Sequence, residues 1–98
     1  MKINFNKNVV DYKGMPLIEN GTKVSIKETI CKFLFLGNGI EGNNSGDEKY
    51  TAYKLMVKIA NGSNEVEITD KESLLIKKVC SASLNAGAYG QIVELLNK

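Results

Sequence analysis

Apolar residues recur along this chain with two periods, and the change of period marks its elements. Between Asp47 and Ala60, Ala52, Leu55, Met56 and Ile59 follow the i, i+3, i+4, i+7 spacing of one helical face, while Lys49, Lys54 and Lys58 fall elsewhere on the wheel. This clearest amphipathic segment is expected to be the helix around which the rest of the chain packs. Three weaker stripes repeat the pattern. Ile26, Ile30, Phe33 and Leu34 form the first, after Ser25 and Glu28 in capping-box spacing, with Gly37 as a natural stop. Leu75, Ile76, Val79 and Cys80 form the second, opened by Thr69-Asp70-Lys71-Glu72 and ending near Ala82. Ala88, Ile92, Leu95 and Leu96 form the third, after a break from Ser83 to Gly87.

The remaining segments alternate with a period of two. Ile3 and Phe5 share one side of Lys2 to Asn6, as in a half-buried strand. Val9 to Tyr12 and Met15 to Ile18 flank Lys13-Gly14, which predicts a hairpin with a two-residue turn, and Pro16 confines its strand to an edge. Asn20-Gly21 and Asn61 to Asn64 read as turns. Glu65 to Ile68 reads as a short strand able to join the hairpin. The segment Gly37 to Gly46 has Ile40 as its one large apolar residue and reads as a loop whose residues Gly39 to Gly42 are dispensable. The expected architecture is α+β: one domain over residues 1–98, four helices around the central amphipathic one, and a small antiparallel sheet built from the N-terminal hairpin.

Composition narrows the chemistry. The chain of 98 residues has a 43% hydrophobic content and can bury roughly 60 to 65% of its unfolded surface, so it folds without staples. No apolar run approaches membrane-spanning length, and no apolar leader precedes the first strand, so a cytoplasmic location off the membrane is expected. All 13 basic residues are lysines, scattered among 11 acidic ones for a net charge of +2. Without arginine the chain lacks the bidentate fork that reads base edges, which argues against nucleic acid as a partner. Histidine is absent, which removes the usual general base, the Ser-His and Cys-His nucleophile pairs and the common zinc sites. Cys31 and Cys80 lie on apolar helix stripes; a disulfide between them is conceivable, but two reduced, buried thiols suit a cytosolic chain better. Glu65 and Glu67 share a strand face, and solvation explains that pair. Gly37-Asn38-Gly39-Ile40-Glu41-Gly42 spells a dinucleotide fingerprint, yet it follows a helix and no βαβ unit surrounds it. The three Asn-X-Ser/Thr strings read only as turns. No enzymatic activity, cofactor or metal is expected.

What is left is surface. Tyrosine brings large contact area at low entropic cost, and Tyr12, Met15, Ile40, Tyr50 and Leu74 are the candidate interaction residues. The apolar last turn of the first helix, with Phe35 and Leu36, points to burial or to a homo-oligomer.

In its outline the chain resembles small proteins of about this length encoded by bacterial phages and prophages. The residues that carry the resemblance are Asp11-Tyr12-Lys13-Gly14-Met15-Pro16-Leu17, the Lys-Tyr-rich helix from Asp47, Glu65 to Thr69 running into Leu75 to Lys78, and the terminal Gly90 to Leu96. The resemblance implies no catalytic motif. It implies a phage protein that works by binding, with a host protein as the expected partner, in the manner of a counter-defence inhibitor. Two other classes stay open: an oligomeric sponge for a signalling nucleotide, which needs a polar pocket in a multimer, and a nucleic-acid-binding accessory factor, which needs its lysines on one face.

Overall fold

In the computed structural model, which describes residues 1–42 and 45–97, the apolar stripes become four helices: α1 (Ile26–Leu36), α2 (Ser45–Asn61), α3 (Asp70–Ser83) and α4 (Ala86–Leu96). Local chemistry sets their starts. The Ser25 hydroxyl accepts from the Glu28 amide at the head of α1, and Asn85 accepts from the Ala88 amide at the head of α4. Thr69 and Glu72 form the full reciprocal capping box of α3. At α1 only the serine half is among the hydrogen bonds. Gly37 ends α1 in the left-handed conformation, with φ of 68°.

The strands are short and form two sheets. β1 (Lys2–Ile3) pairs antiparallel with β4 (Val66–Glu67), in the register Lys2 to Glu67 and Ile3 to Val66. β2 (Ile18–Glu19) pairs with β3 (Thr22–Lys23) across Asn20-Gly21. Both turn residues have positive φ, 51° and 77°, the primed turn that matches the twist of the strands it joins. The Val66 strand therefore closes against the N-terminal strand and leaves the hairpin segment to pair with itself.

The core lies between the helices and these ribbons. Ile30, Leu34, Leu55, Ile59, Ile68, Ile76, Val79, Ile92 and Leu96 are almost wholly sealed from solvent. Ala52, Leu55 and Ile59 are the buried stripe of α2, as the periodicity predicts. The packing is nevertheless organised around α1, which lies against α2 over its length and against α3, while α4 packs on α3. Lysine bridges tie the outer helices together: Lys58 to Glu72 and Lys78 to Glu48, each at 2.8 Å.

Ile40 departs from expectation. It is 5% exposed and belongs to the core, so it cannot serve as an interaction residue. Its loop is held close to α3. A Cβ on Gly39, whose φ is 87°, would lie 3.1 Å from Ala82 Cβ and 3.2 Å from the Lys78 carbonyl, and Asn38 donates to the Ser83 hydroxyl. With no side chain at residue 39 the backbone can turn against the helix and drive Ile40 inward. Asn43 and Asn44, at the far end of the expected loop and in one Asn-X-Ser string, lie outside the described residues.

Candidate protein-binding surface

The segment from Lys7 to Ser25 forms a three-stranded curl closed by its own backbone. The Val9 amide donates to the Val24 carbonyl, the Val24 amide to the Leu17 carbonyl, and the Leu17 amide to the Val9 carbonyl, at 2.8, 3.0 and 2.9 Å. This ring satisfies the main-chain amide and carbonyl of each of Val9, Leu17 and Val24. Val9 is buried, and Leu17 and Val24 are partly buried against the core. The inner side of the curl thus belongs to the hydrophobic interior.

Its outer side is apolar as well. Antiparallel partners share a face, and Val10 is paired with Pro16, two residues before Ile18, so Val10, Pro16 and Ile18 present one surface. Val10 and Ile18 are exposed. At the tip, Tyr12 is 94% and Met15 61% exposed. A strand that hides one apolar face and shows another has more apolar surface than folding requires.

The tip is also held firmly. The Asp11 carboxylate accepts from the Lys13 and Met15 amides at 2.9 and 3.0 Å. The Asp11 carbonyl accepts from the Gly14 amide, and the Asp11 amide donates to the Met15 carbonyl. With Gly14 at φ 82°, this is a three-residue loop ending in a left-handed glycine, in place of the two-residue turn expected from Lys13-Gly14. From α4, Gln91 accepts from the Val10 amide and donates to the Val10 carbonyl. Tyr12 and Met15 therefore project from a fixed frame.

The other expected surface residues lie elsewhere. Tyr50 is exposed on α2, stacked on Tyr53 with ring centres 6.5 Å apart and Lys54 over its ring. Leu74 is exposed on α3 in an open groove of about 390 Å³ shared with Glu48, Thr51, Lys71 and Lys78. Phe35 and Leu36, 70% and 53% exposed, lie outside the core. Tyr12 and Met15 alone come together. Val10 and Ile18 form the outer face beside that tip, and the signal that would have found them is Asn20-Gly21, a strong hairpin dipeptide that makes the segment three strands rather than two.

The titratable groups with shifted pKa have structural causes. Burial pushes the Cys80 thiol up to about 12. Burial also raises Cys31, which hydrogen-bonds weakly to the Met56 carbonyl; both thiols are free. Burial raises the Glu72 carboxyl too, but the Lys58 ammonium and the Thr69 amide outweigh it and hold the group below its usual value. Among the described residues no three His, Cys, Asp or Glu side chains gather into a metal-holding cluster, and no helix is long and apolar enough to cross a membrane. The glycine-rich Gly37 loop leads out of α1, so its resemblance to a dinucleotide fingerprint stops at the spelling. No family model, no curated protein and no solved structure matches the chain.

Proposed function

We propose that this is a non-enzymatic, phage-encoded binding protein that acts by gripping a host protein with the outer side of its N-terminal curl. One observation carries the reading: Tyr12, at 94% exposure, and Met15, at 61%, stand exposed on a tip cross-braced by Asp11 and Gln91, next to the outer face of Val10 and Ile18. Large apolar side chains on a mobile loop lose affinity to the cost of ordering the loop. Side chains on a braced tip avoid that cost, which is the arrangement a recognition element requires. An aromatic anchor with apolar neighbours also matches the composition of interface hot spots.

The test compares wild-type protein with the double variant Tyr12→Ser, Met15→Ser as bait in bacterial lysate. Both changes are at exposed positions, so the thermal unfolding of the two baits should agree. A host protein held by the wild type, lost by the variant, and re-forming the complex from purified components supports the proposal. Identical capture profiles for the two baits overturn it.

A further inference from the structure

We infer that the outward face of α2 is a self-association seam, and that two copies of this chain pair through it in antiparallel, two-fold fashion. Opposite the buried stripe of Ala52, Leu55 and Ile59, the helix carries a second row: Gly46, Tyr50, Tyr53, Val57 and Ala60. The steps are four, three, four and three residues, the alternation of the a and d positions of a coiled coil. All five residues are exposed. The row is flat and aromatic at its middle, where Tyr50 and Tyr53 stack with their ring planes 14° apart.

The charges on its flanks choose the partner and its direction. With Tyr50 at a and Tyr53 at d, Asp47 and Lys54 take the e positions, and Lys49 and Met56 the g positions. A parallel pair would set Lys49 across from Lys54 of the second copy, lysine against lysine. An antiparallel pair sets e against e, so Asp47 faces Lys54 of the second copy, and two-fold symmetry makes that contact twice. The same operation brings Lys49 to Met56, with no charge conflict. The surface is therefore complementary to itself in one orientation.

Phe35 extends the seam. It follows Lys27 and Cys31 on one row of α1; Lys27 reaches the Gly62 carbonyl just past the end of α2 and Cys31 the carbonyl of Met56, a g position, so the row borders the g side of the seam. With Phe35, Tyr50, Tyr53 and Val57 exposed as they are, each copy offers on the order of 400 Å² of largely apolar side-chain surface, if a buried aromatic side chain covers about 150 to 250 Å². This is about half of the roughly 800 Å² per partner of a standard stable interface, which is the range of a weak, reversible dimer. The inference is independent of the host-binding reading, which rests on the curl.

Sedimentation velocity on purified protein over a concentration series tests it, with the variants Asp47→Lys and Lys54→Asp measured alone and mixed. The wild type should form a reversible dimer. Each variant alone sets like charges face to face and should dissociate about tenfold more readily, the equivalent of about 1.4 kcal/mol. An equimolar mixture restores both opposite-charge contacts and should recover the dimer as a heterodimer. Tyr53→Glu should leave a folded monomer by circular dichroism. A wild type that stays monomeric at all concentrations overturns the inference. So does a dimer that ignores Tyr53→Glu, or a mixture no tighter than its components.

Discussion

The side-chain amide of Gln91 clasps both main-chain groups of Val10, accepting from its amide at 2.9 Å and donating to its carbonyl at 2.8 Å across 81 residues of sequence. One polar side chain of α4 thus completes the outer strand of the curl as a neighbouring strand would. Gln91→Ala should cost about 1 to 3 kcal/mol by urea unfolding, from two net hydrogen bonds at about 0.5 to 1.5 kcal/mol each. It should also speed amide exchange at Val10 more than in the helices. Exchange unchanged at Val10 would mean that the ring of Val9, Leu17 and Val24 holds the curl unaided.

Ile40 and Gly39 make a second prediction, which reverses the sequence-based expectation that residues Gly39 to Gly42 are dispensable. Ile40→Ala should cost about 2 to 5 kcal/mol, as for other buried aliphatic side chains. Gly39→Ala should destabilise by about 1 to 3 kcal/mol, because φ of 87° and the nearby Lys78 carbonyl both oppose a Cβ. Deleting the four residues should abolish cooperative thermal unfolding. A deletion variant that melts like the wild type would restore the view of a passive loop.

These two regions show where reading the sequence stops. The four helices were legible because amphipathic spacing and caps such as Ser25 and Thr69 are local signals, although the start of α4 at Ala86, capped by Asn85, falls inside the segment read as a break. The pairing of Ile3 with Val66 spans most of the chain, and nothing local to either residue selects the partner. Ile40 sits in a glycine-rich string that has every mark of a solvated loop, and its burial depends on the shape of α3. The surface was partly legible: Tyr12 and Met15 stand out by residue type, whereas Val10 and Ile18 become surface only once three strands, not two, are counted.

The two faces of α2 should respond differently to truncation. Leu55→Ala or Ile59→Ala removes a side chain at most 1% exposed and should cost about 2 to 5 kcal/mol. Tyr50→Ala, on the opposite face, should change the stability of the monomer by no more than about 0.5 kcal/mol. Thermal unfolding in dilute solution checks both. Equal losses at the two faces would show that Tyr50 packs against the chain itself.

Acid should act on the fold through Glu72. In the unfolded chain this carboxyl titrates near its ordinary value of 4.5, and in the folded chain lower, because the Lys58 and Thr69 contacts outweigh the cost of burial. Its contribution is whole above pH 4.5 and is lost as pH falls through the folded pKa. Lys58→Met removes the strongest opposing contact, so the carboxyl should titrate higher in a carbon-detected NMR titration. The variant should also be closer to the wild type in urea midpoint at pH 3 than at pH 7. A stability gap that does not narrow in acid would exclude this linkage.

Base should act through Cys80, with the opposite sign. Burial raises this thiol from 9.0 to about 12 in the folded protein, whereas the unfolded chain ionises at the lower value. Below pH 9 the thiol is neutral in both states and the contribution of its burial is whole. Between pH 9 and 12 the unfolded state loses a proton that the folded state keeps, so stability falls by up to about 1.4 kcal/mol per pH unit. Cys80→Ala opens a small cavity and lowers stability at pH 7, but it removes this slope, so the stabilities of variant and wild type should converge as pH rises from 9 to 11. In parallel, a thiol-reactive disulfide reagent at pH 8 should leave Cys80 unmodified in the native protein, label Cys31 slowly, and label both at once in urea. Prompt native labelling of Cys80 would show that α3 opens far more readily than its packing implies.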